Sequence, residues 1–191
     1  MERLVPGTTI KFAEQARQSA FSLISPVLEA TGGLTLSQLS KLTGLEGSTI
    51  QNWIKRGWVS STKGKKYSEQ QILRILLINM LRGAMKLDDI ARLMVYVNGD
   101  VEDTSDDIIE EQTLYDILCR IIFTAEDVGA FDSTSVRKLI ETELAYSAHS
   151  VRSDIEKLKR AMFVMIMAYR SAYLKQEMDS ELEVILKGNQ T

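Results

Sequence analysis

Proline occurs at only two positions, Pro6 and Pro26, both near the start of the chain. From Val27 onward no ring interrupts the backbone hydrogen-bond ladder, so nearly all of the 191 residues are free to be helical. Hydrophobic residues at 45% and charged residues at 26% match an ordinary globular chain and argue against wholesale disorder. Cys119 is the only cysteine, which rules out an intrachain disulfide and points away from an oxidising compartment. The most apolar segment, residues 161–169, is too short to span a bilayer, and the first residues show no apolar run behind a basic stretch. Cytoplasmic residence without a membrane partner is the expectation.

The net charge of −3 conceals a partition. Residues 34–86 carry nine basic side chains against Glu46 and Glu69, a local charge of +7, whereas residues 97–145 carry thirteen acids against three bases, a local charge of −10. An overall acidic balance therefore does not exclude nucleic acid as a partner of the first segment.

Pattern divides the chain into an N-terminal helical extension (1–33), a basic module (34–97) and a helical region (98–191). In the extension, Phe12, Ala16, Ala20, Leu23 and Val27 form a helical stripe ended by Gly32 and Gly33. Thr35 with Gln38 has the spacing of a capping box, and Leu36, Leu39 and Leu42 give the helix that follows an apolar side. Gly44 breaks that helix, and a second runs from about residue 48 to 56 before Gly57. Two short helices joined by a tight glycine turn make a helix-turn-helix. Residues 58–67 suit a β-hairpin about Lys63 and Gly64. Ser68 with Gln71 repeats the capping box before a helix that is apolar nearly all round and belongs at the centre of a core. A further helix opens at Leu87, whose Asp88 and Asp89 suit the positive end of the helix dipole. The acidic, turn-rich residues 98–104 mark a boundary, and helices are expected over 106–124, 133–146 and 151–186.

At about 100° per residue, Ile50, Trp53 and Ile54 share one side of the second short helix, and Ser48, Gln51, Asn52 and Lys55 the other. Gln and Asn can each donate and accept in one plane, matching the major-groove edge of adenine; Ser bonds base or phosphate, and Lys supplies charge. Any amphipathic surface helix has a polar outer side, so this face alone is weak evidence.

The stretch 34–96 resembles the MerR winged-helix family. The matching segments are Leu36-Ser37-Gln38-Leu39-Ser40-Lys41-Leu42-Thr43-Gly44, Ser48-Thr49-Ile50, Lys55-Arg56-Gly57-Trp58-Val59, Lys66-Tyr67-Ser68 and Leu81-Arg82-Gly83-Ala84-Met85-Lys86-Leu87-Asp88-Asp89-Ile90. Gln51 and Asn52 stand where MerR proteins usually carry arginine and aromatic residues, so a target sequence does not transfer. The whole chain resembles a bacterial family, a domain of unknown function, that joins a MerR-like half to a helical half. The resemblance implies a mainly α fold with an N-terminal winged helix-turn-helix, a small hairpin wing and an all-helical C-terminal region ending in a long helix. It also implies that Ser48, Gln51, Asn52 and Lys55 enter the major groove, while Arg56, Lys63, Lys65, Lys66, Tyr67 and Lys86 hold the backbone. Lysines on a hairpin edge also serve simply to discourage strand pairing.

In the last helix Val151, Ile155, Leu158, Met162, Met165, Tyr169 and Ala172 alternate four and three residues apart, the spacing of a helix-helix seam. This is a candidate two-fold interface, although packing within one chain would produce the same stripe. Met162, Phe163, Met165 and Met167 offer a flexible lining for a small-molecule effector, or ordinary core filling. His149 is the sole histidine, so no His/Cys metal cluster or His-based triad can be assembled, and neither cofactor nor catalysis is expected. The acidic run 100–111 lacks the turn glycine of a calcium loop, since Ser105 stands in its place. The resulting expectation is a DNA-binding transcriptional regulator acting as a homodimer on double-stranded DNA. The alternative is a protein-interaction adaptor whose winged helix no longer binds DNA.

Overall fold

A computed structural model describes residues 3–62, 64–101, 103, 105–151 and 153–188. The chain is mainly helical, in the order α1 (Ser25–Thr31), β1 (Leu34–Thr35), α2 (Leu36–Thr43), α3 (Gly47–Lys55), β2 (Lys66–Tyr67), α4 (Glu69–Leu81), α5 (Leu87–Asn98), α6 (Glu111–Val128), α7 (Ser133–Tyr146) and a long α8 (Ile155–Gly188). No described helix is long and apolar enough to cross a membrane.

The local signals for the helix starts are realised as hydrogen bonds. Thr35 and Gln38 cap α2 reciprocally, Ser68 and Gln71 do the same for α4, and the Asp132 carboxylate accepts from the N–H groups of Thr134 and Ser135 at the start of α7. α4 then has almost no solvent side: Gln71 through Ile78, Met80 and Leu81 are all buried. Such a helix must be covered from every direction, and α2, α5, α6 and α8 all pack on it. One hydrophobic cluster therefore runs through both halves of the chain, from Leu39 and Trp53 to Ile140 and Met165. The boundary expected at the acidic stretch does not separate two cores; Asn98 is fully buried and its amide donates to the carbonyl of Ile109 (2.8 Å).

The extension before α1 departs from the expected single helix. It forms short 3-10 turns at Glu14–Arg17 and Phe21–Leu23, and Val27 is left exposed. Its order comes from distant partners. The Tyr115 hydroxyl on α6 donates to the Pro6 carbonyl (2.7 Å), and Asp116 accepts from the Ser19 hydroxyl and the Phe21 N–H. Arg3 pairs with Glu126 and Asp127, and Arg17 with Asp127. Gly7 has positive φ and passes so close to the α4 backbone at Leu76 that no Cβ would fit. Residues 3–24 thus form a strap across α4 and α6.

The hairpin expectation is corrected. Lys66–Tyr67 pairs antiparallel with Leu34–Thr35, not with residues 58–61. The latter are held otherwise: Trp58 N–H donates to Trp53 O, prolonging the α3 turn, Val59 is buried, and the Gln71 side chain donates to Ser60 O (2.8 Å). Lys63, at the expected tip, lies outside the described residues.

Within the core, Arg74 of α4 forms an ion pair with Glu111 of α6, and both side chains are about 95% buried. Burial pushes the Glu111 carboxyl from 4.5 up to about 7; the attraction of Arg74 opposes this and the neighbouring Asp107 adds to it. Loss of hydration therefore costs the charged carboxyl more than its partner returns. Arg74→Met, which strands Glu111, is expected to destabilise the fold by about 3–5 kcal/mol in chemical denaturation, and Arg74→Met combined with Glu111→Leu to recover most of that loss. A carboxyl whose pKa is raised by folding contributes its stability below its unfolded value and loses it as pH rises through the folded one. Relative to Glu111→Gln, the native protein should lose on the order of 3 kcal/mol between pH 4.5 and pH 8, read from denaturation midpoints across that range.

Candidate nucleic-acid interface

α3 is fixed from below. Ile50 and Trp53 are buried, and Ile54 packs against the same cluster. Gly47, at the first turn, brings α3 close to α2; a Cβ there would meet the Leu36 side chain at 3.1 Å. With the apolar side so pinned, Ser48, Gln51, Asn52, Lys55 and the following Arg56 are all exposed. Their exposure follows from the helical period, since the inward side is set by Ile50 and Trp53. The Arg56 guanidinium lies over the Trp58 ring (5.1 Å to its centre), which orders a long cationic side chain at the end of α3.

Of the basic residues expected on the backbone side, Lys65, Lys66 and Lys86 are exposed. Lys66 Nζ donates to the carbonyl of Thr31 at the C-terminal end of α1, where a cation meets the negative end of a helix dipole. Lys86 is the residue preceding the first turn of α5. Tyr67 is corrected: it is 6% exposed, its ring joins the core, and burial raises its phenol above the ordinary value. Its place in β2 opposite Leu34 turns it inward, while Lys66 faces out.

Among the described residues no carboxylate pairs with Lys55, Arg56, Lys65, Lys66 or Lys86. The acids of the second half are engaged elsewhere: Glu126 and Asp127 hold the strap through Arg3 and Arg17, Glu143 holds Arg120, and Glu111 holds Arg74. Among the described residues these four acids leave Lys55, Arg56, Lys65, Lys66 and Lys86 without a carboxylate partner.

Of the two readings of the C-terminal stripe, the structure shows the one within a single chain. Leu158, Met162 and Met165 are fully buried against the chain's own helices, with Tyr169 and Ala172 partly covered. Val151 precedes the helix, and Ile155, at its first turn, is 37% exposed. α8 packs on α4, α5, α6 and α7 through this stripe, so it serves the chain's own core. A groove of about 1010 Å³ lies between the strap, the end of α4 and the middle of α8, with Phe131, Tyr169 and Arg170 among its walls. Met162 and Met165 are packed in the core and do not line it. Cys119 is buried, which pushes its thiol well above the ordinary value, and among the described residues no group of His, Cys, Asp and Glu is arranged to hold a metal. Sequence reading missed the Arg74 and Glu111 pair, although a lone arginine in the most apolar helix was a signal for it.

Comparison with known proteins gives limited matches. The chain is similar to the uncharacterized protein YkrK of Bacillus subtilis (strain 168), 26% identical over 138 residues, covering 69% of this chain and 57% of the relative. The match thus spans less than two thirds of that relative's length. No solved structure matches the chain. Residues 24–118, from the strap's end through α1 to α5 and into α6, match the family described as Domain of unknown function (DUF1836).

Proposed function

We propose that this protein is a DNA-binding transcriptional regulator that acts as a dimer, with α3 entering the major groove. The observation that carries the reading is the outward side of α3: every exposed side chain from Ser48 to Arg56 that faces away from Ile50 and Trp53 is polar or cationic, and no described carboxylate neutralises its charges. The local charge of +7 over residues 34–86 supports it, as does the MerR-like pattern of residues 34–96. On this reading Ser48, Gln51, Asn52 and Lys55 read base edges, and Arg56, Lys63, Lys65, Lys66 and Lys86 anchor phosphates. Tyr67 supports the wing from inside. A single small module buries only about 600–1,000 Å² on DNA, so useful specificity calls for two copies.

Selection from random duplex DNA followed by gel shift tests the reading. Gln51→Ala, Asn52→Ala and Lys55→Ala together should weaken binding to the selected site by about 100-fold or more, at about 1–3 kcal/mol for each lost base contact. Because all three are exposed and alanine favours helix, the thermal midpoint should stay within a few degrees. Unchanged binding by this variant would remove α3 as the reading helix, and absence of any selected site would favour a protein partner instead. If each protomer neutralises about five phosphates, the slope of log K against log salt should be near −4.5 per protomer. Replacing Lys65 and Lys66 with alanine should then make it shallower by roughly 1.8.

A further inference from the structure

The groove between the strap, the end of α4 and the middle of α8 has both cations and carboxylates in its walls, and the carboxylates are engaged within the chain. Arg3 holds Glu126 and Asp127, Arg17 also holds Asp127, and Lys175 holds Asp179 (2.6 Å). Of the wall's remaining cations, Arg82 and Arg170 form no ion pair with a carboxylate among the described residues. Each is nevertheless held in place by other means. Asn79 Oδ1 accepts from Arg82 Nε (2.7 Å), which fixes the guanidinium through one nitrogen and leaves its two terminal nitrogens directed away from that contact. Arg170 lies over the rings of Phe131 (4.6 Å to the centre) and Tyr173 (5.2 Å). Stacking engages the flat face of a guanidinium and leaves the N–H groups in its plane able to donate. At longer range Arg170 also favours the charged form of Glu126, whose two oxygens accept from Arg3 and Tyr169.

We propose that this groove binds a phosphorylated small molecule with a planar ring, of the size and kind of a nucleoside monophosphate. An arginine fork matches the oxygens of a phosphate two at a time, and two arginines on one groove suit a group that carries nearly two negative charges. Because both guanidinium groups are ordered beforehand, less side-chain entropy is lost when they close on an anion. Phe131, Tyr169 and Tyr173 give the same groove flat apolar surface against which a ring can lie. Its volume of about 1010 Å³ is at the upper end of the range for small-molecule sites and far exceeds what a phosphate alone would fill. The groove is also joined to the basic half of the chain. The Asn79 side chain that accepts from Arg82 donates to the Gly7 carbonyl of the strap and to the Thr43 carbonyl at the end of α2, both at 2.9 Å. An occupant drawn onto Arg82 therefore pulls on a side chain that ties α4, the strap and α2 together. This site goes beyond the DNA reading and does not rest on it.

Calorimetric titration of the full chain, without DNA, against the monophosphates of adenosine, guanosine, cytidine and uridine should show saturable binding at one site per chain for at least one of them. Inorganic phosphate and the matching nucleoside should each bind about 10-fold more weakly or worse, since each lacks one part of the contact. Arg82→Gln with Arg170→Gln should weaken nucleotide binding about 100-fold, at roughly 10-fold for each charged hydrogen-bonding group removed. Arg82 is exposed and Arg170 half-buried, so the unliganded variant should keep its helix content and melt within a few degrees of the native chain. Arg82→Lys with Arg170→Lys keeps both charges but removes the fork, and should lose most of the same affinity. Failure of all four nucleotides to bind, phosphate binding as tightly as the nucleotide, or undiminished binding by either double variant would each overturn the proposal. Each of these outcomes leaves the α3 reading in place, because neither arginine is among the residues assigned to the duplex.

Discussion

The structure is organised by the demand of α4 for cover. A helix apolar on one side can lie on a surface and leave the other in water; α4 cannot, because Ile72, Ile75, Leu76, Leu77 and Leu81 point in all directions and are fully or nearly fully buried. α2, α5, α6 and α8 are the answer, drawn from both ends of the chain. This is why a sequence that divides by charge into two modules folds around one core. Arg74 marks the cost of the arrangement: the only charge on the buried side of α4 needs a partner, and Glu111 arrives from the other half to supply it.

Charge segregation gains a physical meaning from the same packing. Acids in α6 and α7 are used at close range, on Arg3, Arg17, Arg74 and Arg120, and among the described residues none of them pairs with the lysines and arginine around α3 and β2. A cationic surface retained in a protein of net charge −3 is thus a matter of which partners the fold assigns to which charges.

What was legible in the sequence was whatever is decided locally. The capping boxes at Thr35 and Ser68, the start of α7 at Asp132 and the inward period of α3 all depend on residues within one or two turns. The 3-10 turns of the strap were not legible, because their conformation is set by Tyr115 and Asp116, about a hundred residues away. The two-residue strands were equally opaque: a ladder that short carries no alternation, and the partner of Lys66 and Tyr67 lies before α2. The stripe of α8 was visible, but periodicity records that a side is buried and not which chain buries it. The exposed polar side of α3 was readable from its period, whereas the inward turn of Tyr67 was not, because a strand residue beside two lysines gives no local sign of which way it points.

The strap has a bearing on how the protein is made. Pro6 is made well before its partner: the hydroxyl its carbonyl accepts from, on Tyr115, is synthesised 109 residues later. At about 5–20 residues per second that interval is roughly 5–20 s, during which the leading segment has no docking site. The strap therefore waits for α6 before it can dock, and α8, made later still, completes the cover of α4, so the core is closed by segments from both sides of the chain.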